Sequence, residues 1–243
     1  MSNNIKIFKD PLVLSEQLTE AFISFVASKA KVIIALAGGS TPKIFYTTLS
    51  QPKYQTRIDW SKIHLFWGDE RCVPADDAES NYRMVKESLL DHINIPTENI
   101  HPVSGENSPK QEKDRYSNEI QSNLPLKNGL PAFDWIFLGL GEDGHTASLF
   151  PNTENLKVTD QLCVVAEHPE TGQQRISFTL PLLANAERIS FLVTNKKKAH
   201  IIEKLVRCER VTSKYPASLL YKTRRDAEWW LDHDAAAYLH MSL

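Results

Sequence analysis

The segment Gly139-Leu-Gly-Glu-Asp-Gly-His145 places a carboxylate and a titratable base in one glycine-rich turn. Its Asp143 and His145 follow an apolar run that has the length of a buried strand. Histidine has an ordinary pKa of about 6.5, so near neutral pH it is an uncharged base that can take a proton from water. A lone histidine is usually a surface or core residue, but this combination favours a catalytic base.

A second glycine-bearing segment, Gly38-Gly-Ser-Thr-Pro42, also follows an apolar run. Thr41 is predicted to cap a helix and Pro42 to occupy its first position. Unobstructed backbone N–H groups, two hydroxyls and a helix N-terminus favour an oxyanion such as phosphate. The lysine of a Walker loop is absent, and a plain strand-to-helix turn is the alternative interpretation.

The third segment, Gly68-Asp-Glu-Arg71, is predicted as a loop that begins directly after another apolar run. Asp69, Glu70 and Arg71 are charged residues at a place where a solvated charge run is unusual. The position indicates active-site charge, and the alternative is a structural cluster of salt bridges.

A dinucleotide-binding site is an alternative interpretation of the glycine-rich turn that carries the histidine, because Gly139, Gly141 and Gly144 match the spacing of the nucleotide-binding fingerprint. Glu167 also stands where an acid that binds ribose could be. That fingerprint requires a long helix behind its third glycine, however, and Pro151 interrupts such a helix seven residues on. The sequence therefore argues against a nicotinamide-dependent dehydrogenase.

The elements that must position these segments alternate along the chain, which predicts an α/β fold around a mostly parallel sheet flanked by helices. We expect a single domain over residues 1–243. Ligands of such sheets bind beyond the carboxyl ends of the strands, where the three glycine segments lie. Strands are predicted at 5–8, 31–37, 63–67, 133–138, 163–167, 175–180 and 189–194. Helices are predicted at 11–29, 43–49, 80–92, 115–124 and 197–206.

Composition narrows the class of protein. The 243 residues are 42% hydrophobic and 24% charged, which is ordinary for a globular chain, and the net charge of −2 predicts no general attraction to nucleic acid or anionic membranes. Three dispersed cysteines suit neither a disulfide framework nor a metal site. No signal peptide or membrane-spanning run is evident, so a cytoplasmic location is expected. The cysteines are Cys72, Cys163 and Cys208.

Several motifs in a fixed order resemble those of the 6-phosphogluconolactonases, which share a superfamily with the glucosamine-6-phosphate deaminases. The resemblance covers nearly the whole chain and also includes Arg175, Lys198 and the closing segments 216–220 and 230–232. The main motifs are Ala37-Gly-Gly-Ser-Thr-Pro42, Trp67-Gly-Asp-Glu-Arg-x-Val-Pro74, Ser80-Asn-Tyr82 and Gly139-Leu-Gly-x-Asp-Gly-His-Thr-Ala-Ser-Leu-Phe-Pro151.

The resemblance implies a modified Rossmann-like fold, a sugar-phosphate lactone as substrate, no metal and no nucleotide cofactor. It implies phosphate contacts from the first glycine segment, from Arg175 and from Lys198. Relatives commonly have glycine where this chain has Asn195. Asparagine tolerates left-handed backbone better than most residues, so we expect this turn to survive. The implied phosphate-binding residues of the first segment are Gly38, Gly39, Ser40 and Thr41.

The chemistry expected from these residues is attack of water on the lactone carbonyl carbon, with His145 as the base. Asp143 or Asp69 is expected to orient the imidazole, and the sequence does not rank the two. Arg71 is the candidate for stabilising negative charge on the carbonyl oxygen, with an ion pair to Glu70 or Asp69 as its structural alternative.

Two other functions are possible on the same fold. Deaminases of the superfamily carry Asp-Glu-Tyr in the second segment and His-Ile-Ala-Phe-Asn-Glu-Pro in the third, whereas this chain has Asp-Glu-Arg and His-Thr-Ala-Ser-Leu-Phe-Pro. A sugar-phosphate sensor without catalysis usually brings a DNA-binding domain, for which no spare length is expected here. The lactonase interpretation is therefore preferred.

Overall fold

A computed structural model describes residues 4–207 and 215–239. Cys208 lies outside these described residues. The helices are α1 (Pro11–Ala27), α2 (Ser40–Leu49), α3 (Pro52–Gln55), α4 (Asn81–Ser88), α5 (Pro109–Asn123), α6 (Leu180–Ala184), α7 (Ala199–Arg207) and α8 (Pro216–Thr223). The strands are β1 (Ile5–Phe8), β2 (Val32–Leu36), β3 (Ile63–Trp67), β4 (Asp69–Arg71), β5 (Ile100–His101), β6 (Leu126–Lys127), β7 (Leu130–Pro131), β8 (Trp135–Leu138), β9 (Cys163–Glu167), β10 (Gln174–Phe178), β11 (Arg188–Val193) and β12 (Glu228–Asp232).

Seven strands form a parallel sheet in the order β1-β12-β11-β8-β2-β3-β5. Every residue of the central strands β2 and β8 is buried, as expected of strands that are covered on both faces. The chain runs outward from β2 to β3 and β5, and then from β8 to β11 and β12 on the other side. The predicted mostly parallel α/β sheet is confirmed, and its strand order reverses between β2 and β8.

The predicted strands near residues 163–167 and 175–180 are found, but they lie outside the parallel sheet. They form a separate antiparallel sheet in the order β4-β10-β9. The interpretation of Gly68–Arg71 as a loop was wrong, because Asp69–Arg71 pairs with β10 as the edge strand β4. This pairing brings residues about a hundred positions apart into register, which the local pattern of charges does not reveal.

The start of α2 also differs from the prediction. Thr41 is not the cap and Pro42 is not the first helical residue, because α2 begins at Ser40 and Gly39 is its N-cap. Gly39 has a φ of +101°, a conformation that favours glycine and lets the chain turn into the helix earlier. The Thr41 hydroxyl bonds instead to that of Thr194, with 2.7 Å between the oxygens.

The helices pack on the sheet mainly through aromatic and aliphatic side chains. Phe22 of α1 and Phe45 of α2 pack edge to face against each other, and both contact the ring of Phe137 in β8. This packing fixes α2 above the centre of the sheet, where its N-terminus meets the strand ends. Among the described helices, none has the length and apolar character needed to cross a membrane.

Candidate active site

A cleft of about 370 Å³ opens at the carboxyl ends of the central strands, where the strand order reverses. Ligands bind at this position in open α/β sheets. The structure brings nine of the ten predicted site residues to the wall of this cleft, and the tenth, Asp143, contacts one of them. The nine are Gly38, Gly39, Ser40, Thr41, Asp69, Arg71, His145, Arg175 and Lys198.

His145 and Asp143 form a hydrogen-bonded pair at the cleft. Nδ1 of His145 lies 2.7 Å from Oδ1 of Asp143, and the backbone N–H of His145 donates to the same oxygen at 3.1 Å. Burial raises the pKa of Asp143, but the bonds and the charge of His145 outweigh it and hold this pKa below its ordinary value. An ionised carboxylate only accepts hydrogen bonds, so Nδ1 carries the proton and Nε2 is left as the basic nitrogen.

Gly141 makes room for this pair. A Cβ atom at this position would lie 2.1 Å from Nδ1 of His145 and 2.4 Å from Oδ1 of Asp143. The backbone of Gly141 also closes the turn that carries the pair, because its N–H donates to the carbonyl oxygen of His145 at 2.9 Å. Glycine is required here by close approach, for a reason unrelated to nucleotide binding.

Asp69 stands apart from the imidazole. Its side chain is 8% exposed, and Oδ2 accepts a hydrogen bond of 2.7 Å from the hydroxyl of Ser148. The same hydroxyl lies 3.4 Å from Nη1 of Arg175, so Ser148 connects a carboxylate with a guanidinium. Of the two aspartates that the sequence left unranked, Asp143 is the one that contacts His145.

Two arginines on neighbouring strands line the cleft. Arg71 of β4 and Arg175 of β10 are directly opposite each other in the antiparallel register. Nη1 of Arg71 donates to the carbonyl oxygen of Glu79, and within the described residues Arg71 forms no ion pair with Asp69 or Glu70. Burial lowers the pKa of Arg175, and the charge of Arg71 lowers it further. This pair would therefore gain from an anionic ligand.

Glu70 supports the architecture of the site. Its buried carboxylate accepts the backbone N–H groups of Asn81 and Tyr82 at the start of α4, at 2.8 Å and 2.6 Å, and that of Arg71 at 2.7 Å. Burial raises the pKa of Glu70 to about 7, although these three bonds act in the opposite direction. Negative charge at a helix N-terminus is favourable, so Glu70 ties β4 to α4.

Lys198 reaches the cleft through the turn at Asn195, which is formed with a φ of +88°. Oδ1 of Asn195 accepts the N–H of Lys197 at 3.0 Å, and the backbone N–H of Asn195 donates to the carboxylate of Asp232 at 3.1 Å. The expected survival of this turn is confirmed. Burial lowers the pKa of Lys198, and a carboxylate oxygen of Glu142 lies 4.0 Å away.

Sequence reasoning missed several residues that shape the cleft. Ser148 bridges Asp69 and Arg175, and Asn81 donates its side-chain N–H to the carbonyl oxygen of Asp69 at 2.9 Å. Lys197 adds a further cation to the cleft wall. Ser148 and Asn81 lie inside the quoted motifs, but only their positions in space reveal these contacts.

The cleft shows no nucleotide-binding arrangement of the Rossmann type. Residues 145–153, all of them described, contain no helix behind Gly144, and the next helical turn is the 3₁₀ segment Glu154–Lys157. Across residues 4–207 and 215–239, no three His, Cys, Asp or Glu side chains are grouped to hold a metal ion.

The N-terminus of α2, two arginines and an Asp–His pair meet at the switch point of a parallel sheet. This combination is typical of α/β enzymes that act on small phosphorylated metabolites.

Comparison with known proteins defines the group more closely. The model of the family described as glucosamine-6-phosphate isomerases/6-phosphogluconolactonase matches residues 12–230. A 6-phosphogluconolactonase of Haemophilus influenzae is 43% identical over 224 residues, which cover 92% of this chain and 94% of that protein. The chain belongs to the glucosamine-6-phosphate isomerase/6-phosphogluconolactonase family, and the resemblance seen in its motifs is confirmed.

Solved structures agree with the fold. The 6-phosphogluconolactonase of Trypanosoma brucei is 28% identical and superimposes with a TM-score of 0.87, covering 97% of this chain and 98% of that one. A monomeric glucosamine-6-phosphate deaminase, 20% identical, superimposes with a TM-score of 0.83 over 96% of this chain and 99% of the other. At that identity the deaminase shares the fold alone.

Proposed function

We propose that the protein hydrolyses 6-phospho-D-glucono-1,5-lactone to 6-phospho-D-gluconate, the second step of the oxidative pentose phosphate pathway. The observation that carries the proposal is the hydrogen-bonded Asp143–His145 pair in the same cleft as Arg71 and Arg175. The lactonase relatives that match more than nine tenths of the chain support this substrate.

The phosphate group of the substrate is proposed to bind the loop of residues 38–41, Arg175 and Lys198. The N-terminus of α2 offers backbone N–H groups and a partial positive charge to an anion. Burial disfavours the charged forms of Arg175 and Lys198 in the cleft, and a phosphate dianion would offset this cost. Binding the phosphate would leave the lactone ring within the same small cleft as His145.

The reaction is proposed to use His145 twice. Nε2 takes a proton from water as the water oxygen forms a bond with C1, and the carbonyl oxygen becomes an oxyanion stabilised by the Arg71 guanidinium. When the oxyanion collapses, the bond between C1 and the ring oxygen breaks, and His145 returns the proton to that oxygen. Asp143 holds the imidazole in the required tautomer and stabilises its protonated form.

The first prediction is therefore that the purified protein accelerates lactone hydrolysis above the spontaneous rate. The lactone is generated freshly from glucose 6-phosphate, and proton release is followed with a pH indicator against a protein-free sample. Ammonia release from glucosamine 6-phosphate, without any acceleration of lactone loss, would assign the protein to the deaminases. Binding of 6-phosphogluconate without turnover of either substrate would indicate a sensor.

Arg175→Ala is predicted to raise KM for the lactone about tenfold or more. Each charge-assisted hydrogen bond contributes about 1.5–3 kcal/mol. The phosphate is bound in the ground state as well as in the transition state, so loss of these bonds raises KM more than it lowers kcat. Initial rates over a range of lactone concentrations measure the change. Arg57→Ala is the matched control, because Arg57 pairs with Glu20 on the surface. An unchanged KM in folded Arg175→Ala would remove Arg175 from the phosphate site.

A further inference from the structure

Two buried tyrosine hydroxyls hold the ends of the two strands that lead into the cleft. The Tyr46 hydroxyl accepts the N–H of Ala37 at 3.0 Å and donates to the carbonyl oxygen of the same residue at 3.0 Å. The Tyr116 hydroxyl accepts the N–H of Trp67 at 2.7 Å and donates to its carbonyl oxygen at 3.0 Å. Both tyrosines are fully buried, so each hydroxyl serves one residue of the backbone.

Both hydroxyls lie where neighbouring strands of the parallel sheet separate. β2 is paired with β8 only as far as Ala35, and β3 is paired with β5 only as far as Phe66. Ala37 and Trp67 lie just beyond these last pairs, in the interior. An unpaired backbone group in the interior costs free energy, and the hydroxyls supply the partners that the departing strands no longer provide.

Tyr46 connects the helix that follows the loop of residues 38–41, here called the phosphate loop, with the residue that precedes this loop. It belongs to α2, whose first turn forms part of that loop, and it bonds to Ala37, which directly precedes the loop. Two consecutive glycines, Gly38 and Gly39, would otherwise leave this connection many conformations. The bonds from Tyr46 therefore limit the directions in which the N–H groups of the loop can point.

Tyr116 holds the backbone just before the charged segment Asp69–Arg71, as Tyr46 holds the backbone just before the phosphate loop. It belongs to α5 and bonds to Trp67, which is followed by Gly68 and then by β4. The strand β4 carries Arg71, the group proposed to stabilise the oxyanion. Neither tyrosine lines the cleft, so any effect on the reaction passes through the backbone that each one holds.

We propose that Tyr46 and Tyr116 are positioning residues with separate roles, Tyr46 for the phosphate loop and Tyr116 for the strand that carries Arg71. This proposal rests on the proposed lactonase function, which assigns the loop to binding of the substrate and Arg71 to the transition state. Loss of the Tyr46 bonds then weakens binding, and loss of the Tyr116 bonds slows the chemical step.

The test removes each hydroxyl and keeps each ring. Tyr46→Phe is expected to raise KM for the lactone about fivefold to tenfold and to leave kcat within about twofold of the wild-type value. It is also expected to raise the Kd for inorganic phosphate, measured by calorimetry, about fivefold to tenfold. Tyr116→Phe is expected to lower kcat about fivefold to tenfold, with KM and the phosphate Kd within about twofold. Tyr221→Phe is the matched control. Tyr221 belongs to α8, is buried against the ring of Trp229 and lies away from the cleft.

Equal changes of KM and kcat in both variants, or no change in either, would overturn the proposal. If Tyr46→Phe does not fold, replacing Ala37 by its α-hydroxy acid deletes the N–H that donates to Tyr46 and keeps the tyrosine. The ester also weakens the Leu36 carbonyl, which accepts the N–H of Gly68 at 2.9 Å. That variant should raise the phosphate Kd about twofold to fivefold, and an unchanged Kd would also overturn the proposal.

The phosphate measurement separates this proposal from the proposed function. A wild-type protein that does not accelerate lactone hydrolysis refutes the lactonase function. The role of Tyr46 is then judged on inorganic phosphate alone. A rise in Kd confined to Tyr46→Phe supports the role, and a rise in both variants or in neither overturns it.

Discussion

Replacing His145 with alanine is expected to lower kcat for lactone hydrolysis about 10²- to 10⁴-fold, the usual contribution of a general base. The imidazole lines the cleft and is held by Asp143, whereas the proposed phosphate contacts come from other residues. KM is therefore expected to change less than about threefold. Initial rates by proton release, corrected for spontaneous hydrolysis, give both constants, and circular dichroism verifies the fold.

His92→Ala is the matched control for this experiment. His92 is exposed, and its Nε2 contacts the carbonyl oxygen of Glu87 outside the cleft. This variant is expected to keep the wild-type kcat. A His145→Gln variant that keeps most of its turnover would show that another group activates the water.

The pH profile of the wild-type protein provides an independent measurement of the same role. A general base that is already protonated cannot take a proton from water, so kcat is expected to decline on the acid side of the profile. Burial raises the pKa of Asp143, but the hydrogen bonds to this carboxylate and the charge of His145 together outweigh burial and hold the pKa below its ordinary value. The Asp143 carboxylate thus stays ionised on the acid side and keeps its hydrogen bond to the imidazole. The acid limb should disappear from the residual rate of His145→Gln.

The central sheet and the place of the cleft were predictable from the sequence. Runs such as Val32–Leu36 and Trp135–Leu138 are apolar on both faces, which is typical of strands buried on both faces in a parallel sheet. Glycine segments directly after such strands must then meet at one edge. The sequence therefore predicts that His145, Arg71 and the phosphate loop lie in one cleft.

The parts of the site that the sequence did not reveal depend on contacts between distant segments. The edge strand β4 exists because Asp69–Arg71 pairs with β10, and this pairing places Arg71 opposite Arg175. Three charged residues in a row have no strand pattern of their own, so local periodicity predicts a loop. The choice between Asp69 and Asp143 likewise depended on distances, because both aspartates lie near glycines after strands.

The role of Gly141 also follows from a distance, and it leads to the second large effect. Gly141→Ala is expected to lower kcat about 10²-fold with little change in KM, because a displacement of about 1 Å at a catalytic group has costs of this order. The added Cβ would lie 2.1 Å from Nδ1 of His145, so the imidazole and the carboxylate of Asp143 must move apart. Gly141 is not among the residues with positive φ, so the alanine backbone is unstrained and the melting temperature should change little.

Gly139→Ala is the control within the same segment, because a Cβ there would meet only the carbonyl oxygen of Gly38, at 3.8 Å. Its kcat is expected to stay within about threefold of the wild-type value.

A double variant then distinguishes displacement of the base from a general disturbance of the loop. If Gly141→Ala acts by moving the imidazole, adding it to His145→Ala removes nothing further, since the two substitutions disable the same group. A further tenfold loss in the double variant, or a wild-type kcat in Gly141→Ala alone, would show that the Asp143–His145 geometry is not what sets the rate.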